Sequence, residues 1–137
     1  MVNECMEIQD CFIAGEKFKN LSSRELTLKE LCSYPVLLLE KSTSTRNYID
    51  DFARKHGCEL TAEIELATSD LLVQFAKREL GISGVVRNFA EEELEKGTIF
   101  ELRLKEKIPP RSIGLVRLKN VYLSAAADRF VKGLGLD

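Results

Sequence analysis

The stretch PVLLLEKSTSTRNYID, residues 35–50, decides how this chain is to be read. Val36, Leu37, Leu38 and Leu39 form an unbroken aliphatic run, bounded by Pro35 and by Glu40-Lys41. A run this short is a strand, and one that is apolar on both faces belongs in a sheet covered on both sides. Ser42, Thr43, Ser44 and Thr45 then supply consecutive N-cap candidates. Tyr48, Ile49, Phe52 and Ala53 make an apolar stripe that His56 extends, so a helix is expected to about His56, with Gly57 just past its end. A buried strand that turns through hydroxyls into an amphipathic helix predicts an α/β fold.

The flanks continue the alternation. Upstream, Thr27 and Glu30 have capping-box spacing, with Leu26 and Leu31 at the staple positions, for a short helix ended by Pro35. Residues 5–14 read as one strand with Met6, Ile8, Phe12 and Ala14 on one face, interrupted by Asp10; residues 15–26 read as a polar loop. Downstream, Leu60, Ala62, Ile64 and Leu66 alternate with polar residues, the pattern of a half-buried strand. Thr68, Ser69 and Asp70 can cap a helix to Leu80, which Gly81 is expected to stop. Residues 82–86 form a short strand. Asn88 is expected to cap an acidic helix (Glu91, Glu92, Glu93, Glu95) that ends at Gly97, its carboxylates favoured by the helix dipole. Residues 98–105 alternate with Phe100, Leu102 and Leu104 inward, and Pro109-Pro110 breaks the ladder. A strand at 112–118 and a helix capped by Ser124 close the chain, the helix with Leu123, Ala127, Phe130, Val131 and Leu134 on one face. The order predicts a mixed, partly parallel sheet flanked by helices. Right-handed crossovers then gather strand ends and helix N-termini on one edge, where a ligand is expected.

Composition sets bounds. The chain has 137 residues, 45% hydrophobic and 31% charged, the balance of one globular domain. Lys plus Arg is 20 and Asp plus Glu is 22, a net charge of -2, which excludes the electrostatic footprint of a stand-alone nucleic-acid binder. No apolar run approaches the length of a membrane span, and Glu4 and Glu7 stand where a signal peptide would be basic, so a cytoplasmic location is expected. Cys5, Cys11, Cys32 and Cys58 have no CxxC spacing and the single histidine is His56, so no metal set is offered. Reduced, mostly buried thiols are the expectation. Cys58 and His56 flank the helix-stop Gly57, a poor arrangement for a nucleophile and its base. No GxSxG or HExxH motif and no cofactor motif is present, so no catalytic residue and no cofactor is expected.

The sharpest local feature is Ser42, Thr43, Ser44, Thr45 and Arg46, between a buried strand and a helix start. Hydroxyls and backbone N–H groups there can receive an anion, and Arg46 can add a charge-assisted bond. Capping by a single hydroxyl, with the others solvated, accounts for the same residues. The segment has no glycines and is not a P-loop. Thr68 and Ser69 form a second such junction, which plain capping explains as well. Gly81 is explained by helix capping. Gly84 inside a strand points to close approach of a neighbouring backbone or ligand.

Three stretches, LTLKELCSYPVLLLEKSTSTRNYID, AEIELATSDLLVQFAKRELGISGVVRNFAEEELEKG and IGLVRLKNVYLSAAADRFVKGL, occur in the order found in one family. From Leu26 onward the chain resembles the effector-binding domain of LysR-type transcriptional regulators, and ECMEIQDCFIAGEKF resembles the segment that enters this region. The resemblance implies a lobe like those of type 2 periplasmic binding proteins, with residues of about 15–105 as the second lobe and about 106–137 returning to a first lobe. It implies a small anionic effector held in the cleft, and self-association. DNA would be engaged only through a winged helix-turn-helix that this stretch does not contain. Ser42, Ser44, Thr45 and Arg46 would face the cleft, with Thr68 and Ser69 at the next helix start. Val85 and Val86 fall where the family often has an apolar residue and then proline; Val86-Arg87 departs from that pattern. Two other readings share the fold: a stand-alone intracellular solute-binding module, and an enzyme of the prephenate dehydratase or deaminase type. The enzyme would need a catalytic constellation across a complete cleft.

Overall fold

The computed structural model describes residues 2–116 and 124–133, which fall into two compact units. The larger is Gln9–Pro109; the described residues on either side of it make the other. In chain order the strands are β1 (Val2–Ile8), β2 (Asp10–Ala14), β3 (Glu25–Leu26), β4 (Val36–Leu39), β5 (Ile64–Leu66), β6 (Ile82–Val86), β7 (Phe100–Leu104) and β8 (Arg111–Val116). The α-helices are α1 (Leu28–Leu31), α2 (Ser44–Lys55), α3 (Ser69–Lys77), α4 (Glu91–Lys96) and α5 (Ala125–Gly133).

The larger unit is built on a six-stranded sheet of order β3-β7-β2-β6-β4-β5. Strand β4 is parallel to both β5 and β6, β3 is parallel to β7, and β2 is antiparallel to both β6 and β7. Five strands therefore run one way and β2 runs against them. The aliphatic run behaves as its composition predicts: Val36 and Leu38 pack into one apolar cluster, Leu37 and Leu39 into another on the opposite face. Helix α2 closes the first cluster with Ile49, Phe52 and Ala53; α3 closes the second with Leu72, Val73 and Ala76. The capping box of α1 forms, Thr27 Oγ1 accepting from the Glu30 N–H at 3.1 Å, and both staple leucines are fully buried. Glu106 adds a contact no local pattern shows, accepting the Leu28 N–H at 2.7 Å. Gly57 follows α2 with a φ of 74°, the left-handed conformation that suits glycine after a helix. His56 lies on the Phe52 ring, centroids 4.6 Å apart.

Several sequence expectations are corrected. The strand expected at 5–14 is two strands in two sheets: β1 pairs with β8, and β2 pairs with β6 and β7. The break falls at Gln9, whose side chain donates to the Asp10 and Ile108 carbonyls. Alternation keeps its phase through Gln9, so periodicity cannot reveal a change of partner. The expected loop at 15–26 contains a 3₁₀ helix, Glu16–Ser23, which buries Phe18 and Leu21. The strand expected over 60–66 pairs only at Ile64–Leu66. Asn88 caps nothing; it lies in a 3₁₀ turn, Arg87–Phe89, and Ala90 precedes α4 without a side-chain cap. In the smaller unit Ser124 accepts the Ala127 N–H at 3.2 Å, as expected of a cap. On α5 Val131 is buried while Phe130 is exposed; Leu123, Leu134 and the end of the 112–118 strand lie outside the described residues.

Helix α3 ends at Lys77, and the left-handed residue beyond it is Glu79, φ 64°. Gly81 is therefore not a cap. A Cβ there would stand 2.6 Å from the Pro35 carbonyl oxygen, which accepts the Ile82 N–H at 2.8 Å. Gly81→Ala must move backbone and is expected to cost about 2 kcal/mol in urea unfolding; an unchanged midpoint would contradict this contact.

Candidate functional site

The common direction of five strands collects the ends of β4, β5 and β6 on one sheet edge. The start of β2 joins them, because Asp10 pairs with Val86. Helices α2 and α3 begin at that edge, so their N-terminal N–H groups collect there.

Thr43 is the N-cap of α2: its hydroxyl accepts the Arg46 N–H at 3.1 Å and donates to the Glu40 carbonyl at 2.9 Å. Ser42 and Ser44 are exposed on either side, and Thr45 is half-buried. Arg46 points inward and is 2% exposed. Its Nε donates to both carboxylate oxygens of Asp50, at 3.0 and 3.1 Å. Its Nη1 donates to the Leu39 carbonyl at 2.9 Å and lies 3.4 Å from a Glu65 oxygen. One guanidinium thus ties the end of β4 and the first turn of α2 to β5, and two carboxylates already balance its charge.

Thr68 caps α3, accepting the Leu71 N–H at 3.3 Å, and Ser69 is the first helical residue. Gly84 sits opposite Phe12 in the sheet. A Cβ on it would meet Leu38 Cδ2 at 2.8 Å and Phe12 Cε1 at 3.1 Å, so the close approach is by side chains. Val85 and Val86 are buried.

Thr45, Arg46, Gly84 and Val85 come together around a notch of about 10 Å³, room for one water, with Asp10, Cys11, Leu38, Leu39 and Ile49. Ser42, Thr43, Ser44, Thr68, Ser69 and Val86 do not line it. A wider groove of about 350 Å³ shares Asp10 and Cys11 with the notch and runs along β7. Its polar lining is Gln9, Arg87, Glu101, Arg103, Glu106 and Lys107. The Arg87 Nε lies 2.9 Å from a Glu101 oxygen; Arg103 and Lys107 have no ion pair among the described residues. Burial, then Glu101, pushes the Cys11 thiol up to about 12, so it stays protonated at neutral pH.

Sequence reasoning missed Asp10 and the groove. The signal for Asp10 was present, an acid inside an apolar strand pattern; it is 3% exposed and lines both the notch and the groove. The groove depends on the pairing of β2 with β7, which no local pattern carries.

Residues 7–135 match the family model described as the LysR substrate binding domain. The uncharacterised HTH-type transcriptional regulator YeiE of Escherichia coli (strain K12) is 27% identical over 111 residues, 81% of this chain. This chain spans 38% of that relative's length. The regulatory domain of CcmR from Synechocystis PCC6803, solved in complex with 2-PG, superposes with a TM-score of 0.84 at 17% identity, covering 98% of this chain and 64% of that one. The effector-binding domain of QuiR, solved with shikimate, gives a TM-score of 0.80 at 18% identity, covering 99% of this chain and 63% of that one. Among the described residues no helix is long and apolar enough to cross a membrane. With all but a few terminal residues matched by one family model, the chain belongs to the LysR substrate-binding domain family.

Proposed function

We propose that this chain is the effector-sensing part of a bacterial transcription regulator and that it receives a small anion at the sheet edge where α2 begins. The observation that supports this most is the notch beside Thr45, which shares Asp10 and Cys11 with a groove that carries Arg103 and Lys107. The first turn of α2 offers N–H groups and hydroxyls, and the two cations supply long-range attraction. Arg46 supports the turn through its Nε and Nη1 donors, which are engaged with Asp50, Leu39 and Glu65. Ser42, Ser44, Thr68, Ser69 and Val86 then form the rim of the same edge.

Gln9–Pro109 corresponds in this reading to the lobe that the sequence resemblance assigns to about 15–105, with the described residues after Pro109 belonging to the return toward a first lobe. DNA contact is made by another part of the regulator, in a cytoplasmic oligomer. The site is one for binding and not for catalysis: its one thiol is held protonated, and no histidine lines it.

Calorimetric titration with a panel of small carboxylates and inorganic anions, against neutral analogues of equal size, tests the reading. Anions are expected to bind in preference to the neutral compounds. Thr45→Val keeps the shape and removes the hydroxyl, so it is expected to weaken the bound anion about tenfold. Binding confined to neutral compounds, or equal affinity in the variant, would overturn the assignment.

A further inference from the structure

Helix α2 carries a row of rings that the effector site does not use. Tyr48, Phe52 and His56 follow one another at intervals of four residues, so they share one side of the helix. Phe52 is buried, and the His56 ring lies against it. The Tyr48 hydroxyl donates to the Pro109 carbonyl at 2.6 Å, tying α2 to the segment after β7. The His56 Nδ1 lies 3.0 Å from the Phe52 carbonyl, which can only accept, so Nδ1 holds the proton and the ring is oriented by that bond. These rings and Pro109 line a cleft of about 180 Å³, with Lys55 and Lys107. Both lysines are exposed, and neither has an ion pair among the described residues. The one carboxylate in the lining, Asp51, is paired with Arg54 at 2.6 Å. Lys107 is the only residue that the cleft shares with the groove, and it shares none with the notch.

We propose that this cleft is a second ligand site, distinct from the effector notch, and that it takes a small aromatic carboxylate. A cavity of about 150 Å³ suffices to hold benzene, so this cleft has room for one six-membered ring carrying a carboxylate. The ring row and Pro109 supply apolar surface and ring edges for that ring to pack on. The lysines supply charge: with Asp51 already balanced by Arg54, the two ammonium groups leave the lining with a positive excess that a carboxylate offsets. Flexible stems let both ammonium groups reach a carboxylate from the rim of the cleft. An inorganic anion leaves the ring surface in water, and an uncharged ring leaves both lysines without a counter-charge. The lining therefore selects a ligand that carries a ring and a carboxylate together.

The chain has a single histidine, and it lines this cleft, so the imidazole C–H signals in proton NMR report on the site without labelling. The test titrates the full chain with benzoate at fixed pH and ionic strength, and separately with acetate and with benzyl alcohol. Benzoate is expected to move the His56 signals saturably, with a Kd on the order of 1 mM for so small a ligand. Acetate and benzyl alcohol are each expected to bind about tenfold more weakly, since one lacks the ring and the other the charge. Lys55→Gln is expected to weaken benzoate about threefold and to leave benzyl alcohol unchanged, which a general disturbance of α2 does not do. Thr45→Val, altered at the effector notch, is expected to leave the benzoate-induced shift and its midpoint as they are. A shift that stays linear with concentration, equal binding of acetate or benzyl alcohol, or equal benzoate affinity in Lys55→Gln would overturn the proposal. Loss of the shift in Thr45→Val would place benzoate at the effector edge and overturn it as well.

Discussion

Arg46→Ala is expected to lower the unfolding free energy by about 3 kcal/mol, toward the low end for breaking a buried ion pair. The substitution removes the cation between Asp50 and Glu65 and leaves the Leu39 carbonyl without its donor. The Asp50 side chain is 17% exposed and that of Glu65 is 39%, so water reaches the second carboxylate and moderates the loss. Arg46→Lys keeps the charge but cannot reproduce two bonds to Asp50 together with one to Leu39; about half the loss is expected. Urea unfolding of the three proteins gives the ranking. A cost below about 1 kcal/mol for Arg46→Ala would place this guanidinium among ordinary surface pairs and remove its role in positioning α2.

Phe12→Ala is expected to cost about 3–5 kcal/mol, the range for an aromatic side chain removed from a packed core. Phe12 is 1% exposed in the middle of β2, and its ring occupies the space that Gly84 leaves on β6. Gly84→Ala is expected to cost about 1–3 kcal/mol on its own, from the contacts a Cβ would make with Leu38 and Phe12. In the Phe12→Ala background the ring is gone and the added methyl partly fills the void. The contact with Leu38 Cδ2 remains while that with the ring is relieved, so the second substitution should cost less than it does alone and the two effects should fail to add. Strict additivity in urea unfolding would show that the ring and the glycine are not packed as a pair.

Both predictions concern residues whose type was noticed in the sequence and whose partners were not. Arg46 stands out as a cation in a hydroxyl-rich turn, which suggested a ligand contact. Which way its side chain turns depends on Asp50, one helical turn along, and on Glu65, contributed by a neighbouring strand. Gly84 was readable as a position of close approach, yet only the register Phe12 to Gly84 says what approaches.

The sequence by itself determined the α/β class, the doubly covered strand β4, the caps of α1 and α5, the short segments that supply the caps of α2 and α3, and the edge on which helix starts collect. These rest on periodicity, capping chemistry and the direction of the chain, all of which act over a few residues. The tertiary structure alone decided that the first expected strand is two, that Glu106 accepts the Leu28 N–H at the start of α1, and that Asp10 lines both the notch and the groove. Each of these pairs groups distant in sequence or changes partners without changing phase. Alternation and capping carry no information about which distant segment a face will meet.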